Sequence, residues 1–226
     1  MKKLLAIVLA VMMLVSLCAC SGITDIINGN GDGDDNGETT TPEDFKTPEE
    51  IEEYFDNILI SYQYTSSETQ EEGVAWTVAQ NDKAVYVNIM GIQMLYVKDT
   101  GESFMFDDQG QKIKYSTTET MSFSDYTDMF FDYTYDTEDF VRTGTKTIAG
   151  RTCTVYEYSI SVFGYTYSSL YSIDNATGIC MEVSVSGSAN GESGSVTWIV
   201  TELQVGGVNL DEYINQPVDI DYTQYD

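Results

Sequence analysis

The residues of this chain best suited to chemistry are oxygen donors. Asp32, Asp34, Asn36, Gly37 and Glu43 follow the spacing D-x-[DN]-x-[DN]-G-x5-E of an EF-hand loop, in which several oxygens converge on calcium. The surroundings favour a spacer instead. Residues 21–31 form no entering helix, Pro42 falls inside the loop, and Thr39 stands where an apolar residue is usual. Carboxylate pairs are plentiful in a chain with 37 acidic and 10 basic residues, so no single pair stands out as a glycosidase-type acid and base. The chain has no histidine, which removes the usual general base and the commonest metal ligand. It carries neither a G-x-S-x-G nucleophile motif nor a Gly-rich phosphate loop. The composition therefore points away from an enzyme and away from a resident cofactor.

One cysteine is placed for modification. Met1-Lys2-Lys3 is a short basic start, and Leu4 to Leu17 is an apolar run relieved only by Ser16. The run is shorter than the ~20 residues a spanning helix needs and fits a signal-peptide core. Leu17-Cys18-Ala19-Cys20 follows and resembles the lipobox of bacterial lipoproteins. Cys20 is the expected lipidated residue, because Ala19 before it is small and Leu17 before Cys18 is bulky. Two acyl chains on that cysteine would hold the protein stably on a membrane. The expected organisation is a signal peptide over residues 1–19, a lipidated Cys20 with an acidic Gly/Asn/Asp tether over 20–44, and one domain over 45–226. The expected location is the cell membrane, lipid-anchored and facing the extracytoplasmic side.

The formal net charge is −27, and loss of Lys2 and Lys3 makes it two units more negative. Such a surface disfavours nucleic acid and anionic membrane surfaces as partners and keeps an exported protein soluble.

The elements that must position any site come next. Thr47-Pro48-Glu49-Glu50 reads as a helix start, with Ile51, Tyr54, Phe55 and Ile58 at helical spacing. From Ile58 the period becomes two. Strands are expected at 58–65, 73–80, 83–90, 92–98, 102–106 and 111–115, with turns at Asn81-Asp82, Gly91, Thr100-Gly101 and Asp108-Gln109-Gly110. Phe123, Tyr126, Met129, Phe130 and Tyr133 recur at three and four, which predicts an aromatic helix within 121–140. Strands resume at 143–148, 151–162, 165–173, 179–186 and 195–205. Val208, Leu210 and Tyr213 predict a short turn packed back on the sheet, and residues from Pro217 a polar tail or edge segment.

A tight turn at Phe163-Gly164 pairs Val162 with Tyr165. That puts Tyr156, Tyr158, Ile160, Tyr167, Tyr171 and Ile173 on one face. Pairing Ile173 with Ile179 adds Met181, Val183 and Val185 to it. The opposite face carries Glu157, Ser159, Ser161, Ser168, Ser172, Glu182 and Ser184 and reads as wet. The alternation around Trp198 does not fix its face. The same register puts Cys153 beside Asp174 and Cys180 opposite Ser172, about 9–10 Å apart across the sheet, too far for a disulfide.

"GTKTIAGRTCTVYEYSI" (144–160), "YSIDNATGICMEVSV" (171–185) and "TWIVTELQVGGVNLDEYI" (197–214) resemble the terminal strands of the LolA-like lipoprotein-carrier superfamily. Those strands carry an A-G turn, a Cys-x-x-Tyr, a D-x-x-T-G hairpin and a closing T-E strand. The resemblance covers about residues 45–214. It implies an α+β fold: a strongly curved antiparallel sheet, a half-barrel, with helices covering the concave face. It also implies a cavity for acyl chains, lidded by the helix at 123–133. The candidate wall is Tyr156, Tyr158, Tyr167, Tyr171 and Met181, with Tyr126 and Phe130 from the lid. No basic residue maps onto a lipid head-group partner.

Three functions stand open on the sequence. The first is a lipid-anchored carrier or binding module for an apolar small molecule or lipid. The second is a sensor or scaffold that binds another envelope protein. The third is a sugar-binding surface using some of the 17 tyrosines.

Overall fold

The computed structural model describes residues 46, 48–67, 75–117, 119–127, 140–162, 165–189 and 192–225. Their main element is a single curved, unclosed sheet of twelve strands. The first six are β1 (Ile58–Ser66), β2 (Ala75–Gln80), β3 (Ala84–Ile89), β4 (Ile92–Val97), β5 (Glu102–Phe106) and β6 (Lys112–Tyr115). The rest are β7 (Val141–Ile148), β8 (Arg151–Val162), β9 (Tyr165–Asp174), β10 (Cys180–Ala189), β11 (Glu192–Val205) and β12 (Val218–Asp221). The order across the sheet is β12-β6-β5-β4-β3-β2-β1-β11-β10-β9-β8-β7. Two meanders therefore join through the pairing of β1 with β11. Neighbours run antiparallel, except that β12 pairs parallel with β6.

Helix is scarce. α1 (Pro48–Glu52) stops before a 3-10 turn at Phe55–Asn57, and α2 (Asp211–Asn215) is equally short. The expected helical stripe therefore ends early: Ile58 opens β1 instead of closing a helix. The alternation from Ile58 to Tyr64 suits a pleated strand and prevails over the preceding helical spacing. In 121–140, the described residues hold one 3-10 turn, Ser124–Tyr126. Local side chains explain it. Asp125 accepts the Ser122 N–H at 2.7 Å, and Thr127 Oγ1 donates to the Phe123 carbonyl at 2.8 Å. Such bonds offer the backbone an alternative to a continued helix. Phe130 and the rest of 128–139 lie outside the described residues, as do Thr47, Cys20 and the calcium-type residues Asp32, Asp34, Asn36 and Glu43. None of the described helices is long and apolar enough to cross a membrane.

The β1–β6 half is buried on both faces. On one, Ile58, Ile60, Tyr62, Val78, Val85 and Val87 join the main core, with Ile51 and Phe123 packed over them. On the other, Ala79, Ala84, Tyr86, Leu95, Phe104 and Phe106 meet Val208 and Leu210 from the segment around α2. Tyr213 of α2 stacks on Tyr86 at 4.3 Å. The expected terminal turn thus packs back on the sheet, and residues 218–221 form an edge strand.

The Val162–Tyr165 pairing is observed, as is Cys153 beside Asp174. One register expectation needs correction. Cys180 pairs with Ile173, not Ser172, and a shift between Cys180 and Glu182 then brings Val183 opposite Tyr171. A bulge inserts an extra residue and moves every later partner. The shift leaves Val183 and Val185 on the aromatic face, because their partners are Tyr171 and Ser169. The polar face also differs from expectation at one end. There β7 approaches β11 as well as pairing with β8, and Ser172 and Glu182 are buried. Ser172 Oγ donates to Glu182 Oε2 at 2.7 Å, and Lys146 forms an ion pair with the same carboxylate.

The D-x-x-T-G turn has a physical basis. Asp174 Oδ2 accepts from the Thr177 N–H at 3.1 Å, from Thr177 Oγ1 at 2.6 Å and from Arg151 Nε at 3.0 Å. Gly178 then takes φ +74°, a conformation that costs glycine little.

Candidate aromatic site

Pairing across strands builds two rows on the aromatic face. One runs Tyr156–Tyr171–Val183–Trp198–Tyr64 across β8, β9, β10, β11 and β1. The other runs Tyr62–Trp76–Ile89–Ile92 across β1, β2, β3 and β4. Directly opposed residues point the same way, so this settles the face of Trp198: it stands with Tyr171. Where the rows meet, Tyr62, Tyr64, Trp76, Ile89, Met90 and Trp198 line a pocket of about 220 Å³. Tyr64 and Trp198 rings lie 5.2 Å apart and tilted by 54°. The chain has two tryptophans, and both are here.

Met90 shapes the rim. It occupies the β3–β4 turn with φ 55°, followed by Gly91 at φ 85°. A two-residue hairpin of this kind needs positive φ at both positions. Methionine is a poor fit for that conformation, and its side chain is 70% exposed. Ile92 and Met105 are also exposed on this face, extending the apolar surface outward from the pocket.

Of the residues expected from sequence, Tyr156, Tyr158, Tyr167 and Tyr171 lie along the same face. Tyr156 and Met181 are fully buried in the core. Tyr158, Tyr167 and Tyr171 are half-buried. The Phe140 ring packs 5.2 Å from Tyr171 and 5.7 Å from Tyr158, and Tyr158 is 6.5 Å from Tyr167. Tyr126 packs on the edge of the core with Tyr54, Phe55 and Met121. The pocket's own residues were missed. Trp76 and Trp198 lie far apart in sequence and meet only through β1, and no local pattern reports that closure.

No protein-family model matches the chain, and no curated protein does. Solved structures do. The complex of MucA and MucB from Pseudomonas aeruginosa matches at 14% identity and TM-score 0.37, over 74% of this chain and 58% of that one. A putative outer membrane lipoprotein-sorting protein domain from Vibrio parahaemolyticus matches at 8% identity and TM-score 0.26, over 74% of this chain and 94% of that one. LprF from Mycobacterium bovis matches at 10% identity and TM-score 0.31, over 72% and 97%. A lipoprotein-sorting domain is thus among the solved structures this chain is similar to. Likeness of this depth says nothing of what the chain binds.

The rest of the described surface offers less chemistry. A hollow of about 270 Å³ near the β10–β11 turn is lined by serines, glycines and Thr166, with no charged or aromatic side chain. No group of metal-ligating side chains occurs among the described residues. Cys153 and Cys180 are free and buried. Burial, with Asp174 nearby, pushes the Cys153 thiol up to about 11. Burial also pushes Cys180 up, so neither is a ready nucleophile, which requires the thiolate.

Proposed function

We propose that this chain is a non-catalytic envelope lipoprotein, anchored through Cys20 outside the cytoplasmic membrane, that holds an apolar ligand on the aromatic face of its sheet. The ligand class is an acyl chain or another lipid. The observation carrying this reading is the pocket itself. Tyr62, Tyr64, Trp76, Ile89, Met90 and Trp198 present almost wholly apolar walls that remain open to solvent. Open apolar concavities rimmed by exposed hydrophobics are where small apolar molecules bind.

The short segments 48–57 and 121–127 serve as the cover over one end of this face. Tyr156, Tyr158, Tyr167, Tyr171 and Met181 form the wall beyond the pocket, and Tyr126 belongs to the cover. The Asp32–Glu43 tract acts as a spacer between membrane and domain.

The test is native mass spectrometry of the chain from residue 20 onward, carrying Cys20→Ser and purified without delipidation. A co-purifying mass in the fatty-acid or phospholipid range, lost in Trp198→Ala, supports the reading. A clean apo mass, unchanged after incubation with lipid, overturns it and directs attention to an envelope-protein partner. Labelling of the full chain with a palmitate analogue, absent in Cys20→Ser, tests the anchor separately.

A further inference from the structure

We propose that the pocket prefers an amphiphile with a quaternary ammonium head group over one with an anionic head group. The inference rests on the apolar-ligand reading above and adds the sign of the ligand's charge.

Three observations carry it. First, four of the six lining residues are aromatic: Tyr62, Tyr64, Trp76 and Trp198. They stand on three adjacent strands, with Tyr62 opposite Trp76 and Tyr64 opposite Trp198. An aromatic face attracts a cation through its quadrupole, and Trp is the best such face. A quaternary ammonium has no hydrogen to donate, so it enters an apolar pocket without leaving a donor unpaired.

Second, no basic residue lines the pocket. The basic residues of the domain are engaged elsewhere. Lys83, Lys114, Lys146 and Arg151 hold Asp211, Glu102, Glu182 and Asp174. Lys98 and Lys112 donate to backbone carbonyls, and Lys46 donates to Tyr54. Arg142 stands at the far end of the aromatic row, paired in register with Tyr156, four strands from Trp198. A carboxylate or phosphate in the pocket would lose its water and gain no counter-charge.

Third, the chain carries a net charge of −27. A field of that sign concentrates cations at the surface and repels anions.

The experiment titrates the Cys20→Ser chain from residue 20 onward with three probes whose tails match to within one methylene: dodecyltrimethylammonium, dodecyl maltoside and laurate. All are kept below their micelle-forming concentrations. The emission of Trp76 and Trp198 is the readout, with stoichiometry from native mass spectrometry. The expected order is trimethylammonium first, about tenfold tighter than maltoside, and laurate last. At 0.5 M salt, where exposed charge is screened, the tenfold preference over maltoside persists, because contact with the rings is short-range.

Trp198→Leu keeps the apolar volume and every charge. It is expected to retain maltoside binding and lose the preference. Trp76→Leu, read from Trp198, repeats the test should the first variant not fold. Equal affinity for all three heads, or a preference that survives both substitutions, overturns the head-group inference and leaves the apolar reading standing. Binding of none of the three overturns both. A preference that salt abolishes assigns it to net charge and overturns the role of the rings.

Discussion

Gln80 and Phe123 are joined by a hydrogen bond of 3.1 Å, from the Phe123 N–H to Gln80 Oε1. The same amide donates through Nε2 to the Phe55 carbonyl at 2.9 Å. One side chain at the end of β2 thus fastens both covering segments to the sheet, and the Phe55 and Phe123 rings meet above it at 4.8 Å. Gln80→Leu keeps the volume and removes both bonds, leaving a buried donor and acceptor unpaired. The expected loss is about 2–3 kcal/mol, read as a lower urea midpoint. Faster proteolysis in the segments around Phe55 and Phe123 is expected with it. Unchanged proteolysis there would show that the rings alone hold the cover.

Met90 separates stability from binding. Its φ of 55° is a conformation that asparagine tolerates far better in a two-residue hairpin. Met90→Asn is expected to raise the unfolding free energy by about 1 kcal/mol, the strain relieved. The same change removes an apolar wall of the pocket. Affinity for dodecyl maltoside should fall roughly fivefold, the worth of one partly buried apolar side chain. Tighter binding of maltoside by the stabilised variant would place the ligand elsewhere.

Lys112 holds the C-terminal segment. It is 1% exposed, and its Nζ donates to the carbonyls of Tyr213, Ile214 and Gln216 at 2.8, 2.9 and 3.3 Å. The Phe104 ring lies 4.2 Å away. These carbonyls lie at the C-terminal end of α2, where a cation complements the helix dipole. Lys112→Met keeps the stem and strands three acceptors. About 2–4 kcal/mol should be lost, with cleavage by protease between residues 208 and 225 before the rest of the domain opens. Simultaneous loss of the whole sheet would instead make Lys112 part of a single cooperative unit.

The legible part of this fold was local. Period-two alternation with Gly and Asp turns located β2 through β5, and the Val162–Tyr165 pairing followed from one tight turn. Asp174 and Thr177 announced their hairpin because both side chains bond within it. What escaped is non-local. The β1–β11 pairing brings Trp76 and Trp198 together without any signal near either residue. The shift after Cys180 depends on packing that alternation does not encode. Nothing in the strand Lys-Ile-Lys-Tyr marks Lys112 for burial, which comes with the returning α2. The tyrosines of β8 and β9 were assigned to the right face, while the open pocket lies farther along that face, at residues whose spacing is ordinary for strands.

Cys153 and Cys180 pair with neighbouring residues of β9, Asp174 and Ile173, and both are fully buried. Their thiols approach the carbonyls of Arg151 and Glu182 at 3.6 and 3.3 Å. Burial raises Cys153 from 9.0 to about 11 and raises Cys180 as well. Each folded thiol therefore binds its proton more tightly than the unfolded one. For Cys153 that contribution to stability is whole below pH 9 and is lost as the pH rises through about 11. The urea midpoint should fall across this window. In Cys153→Ala/Cys180→Ala it should start lower, by about 1–3 kcal/mol of lost packing, and fall less steeply. Tyrosines and lysines titrate in both proteins, so the difference in slope is the quantity that reports the thiols. At pH 8 a thiol reagent should label neither cysteine in the native chain and both in urea. Native labelling at the rate of a free thiol, or equal slopes in the two proteins, would mean that this end of the sheet opens far more readily than its packing implies.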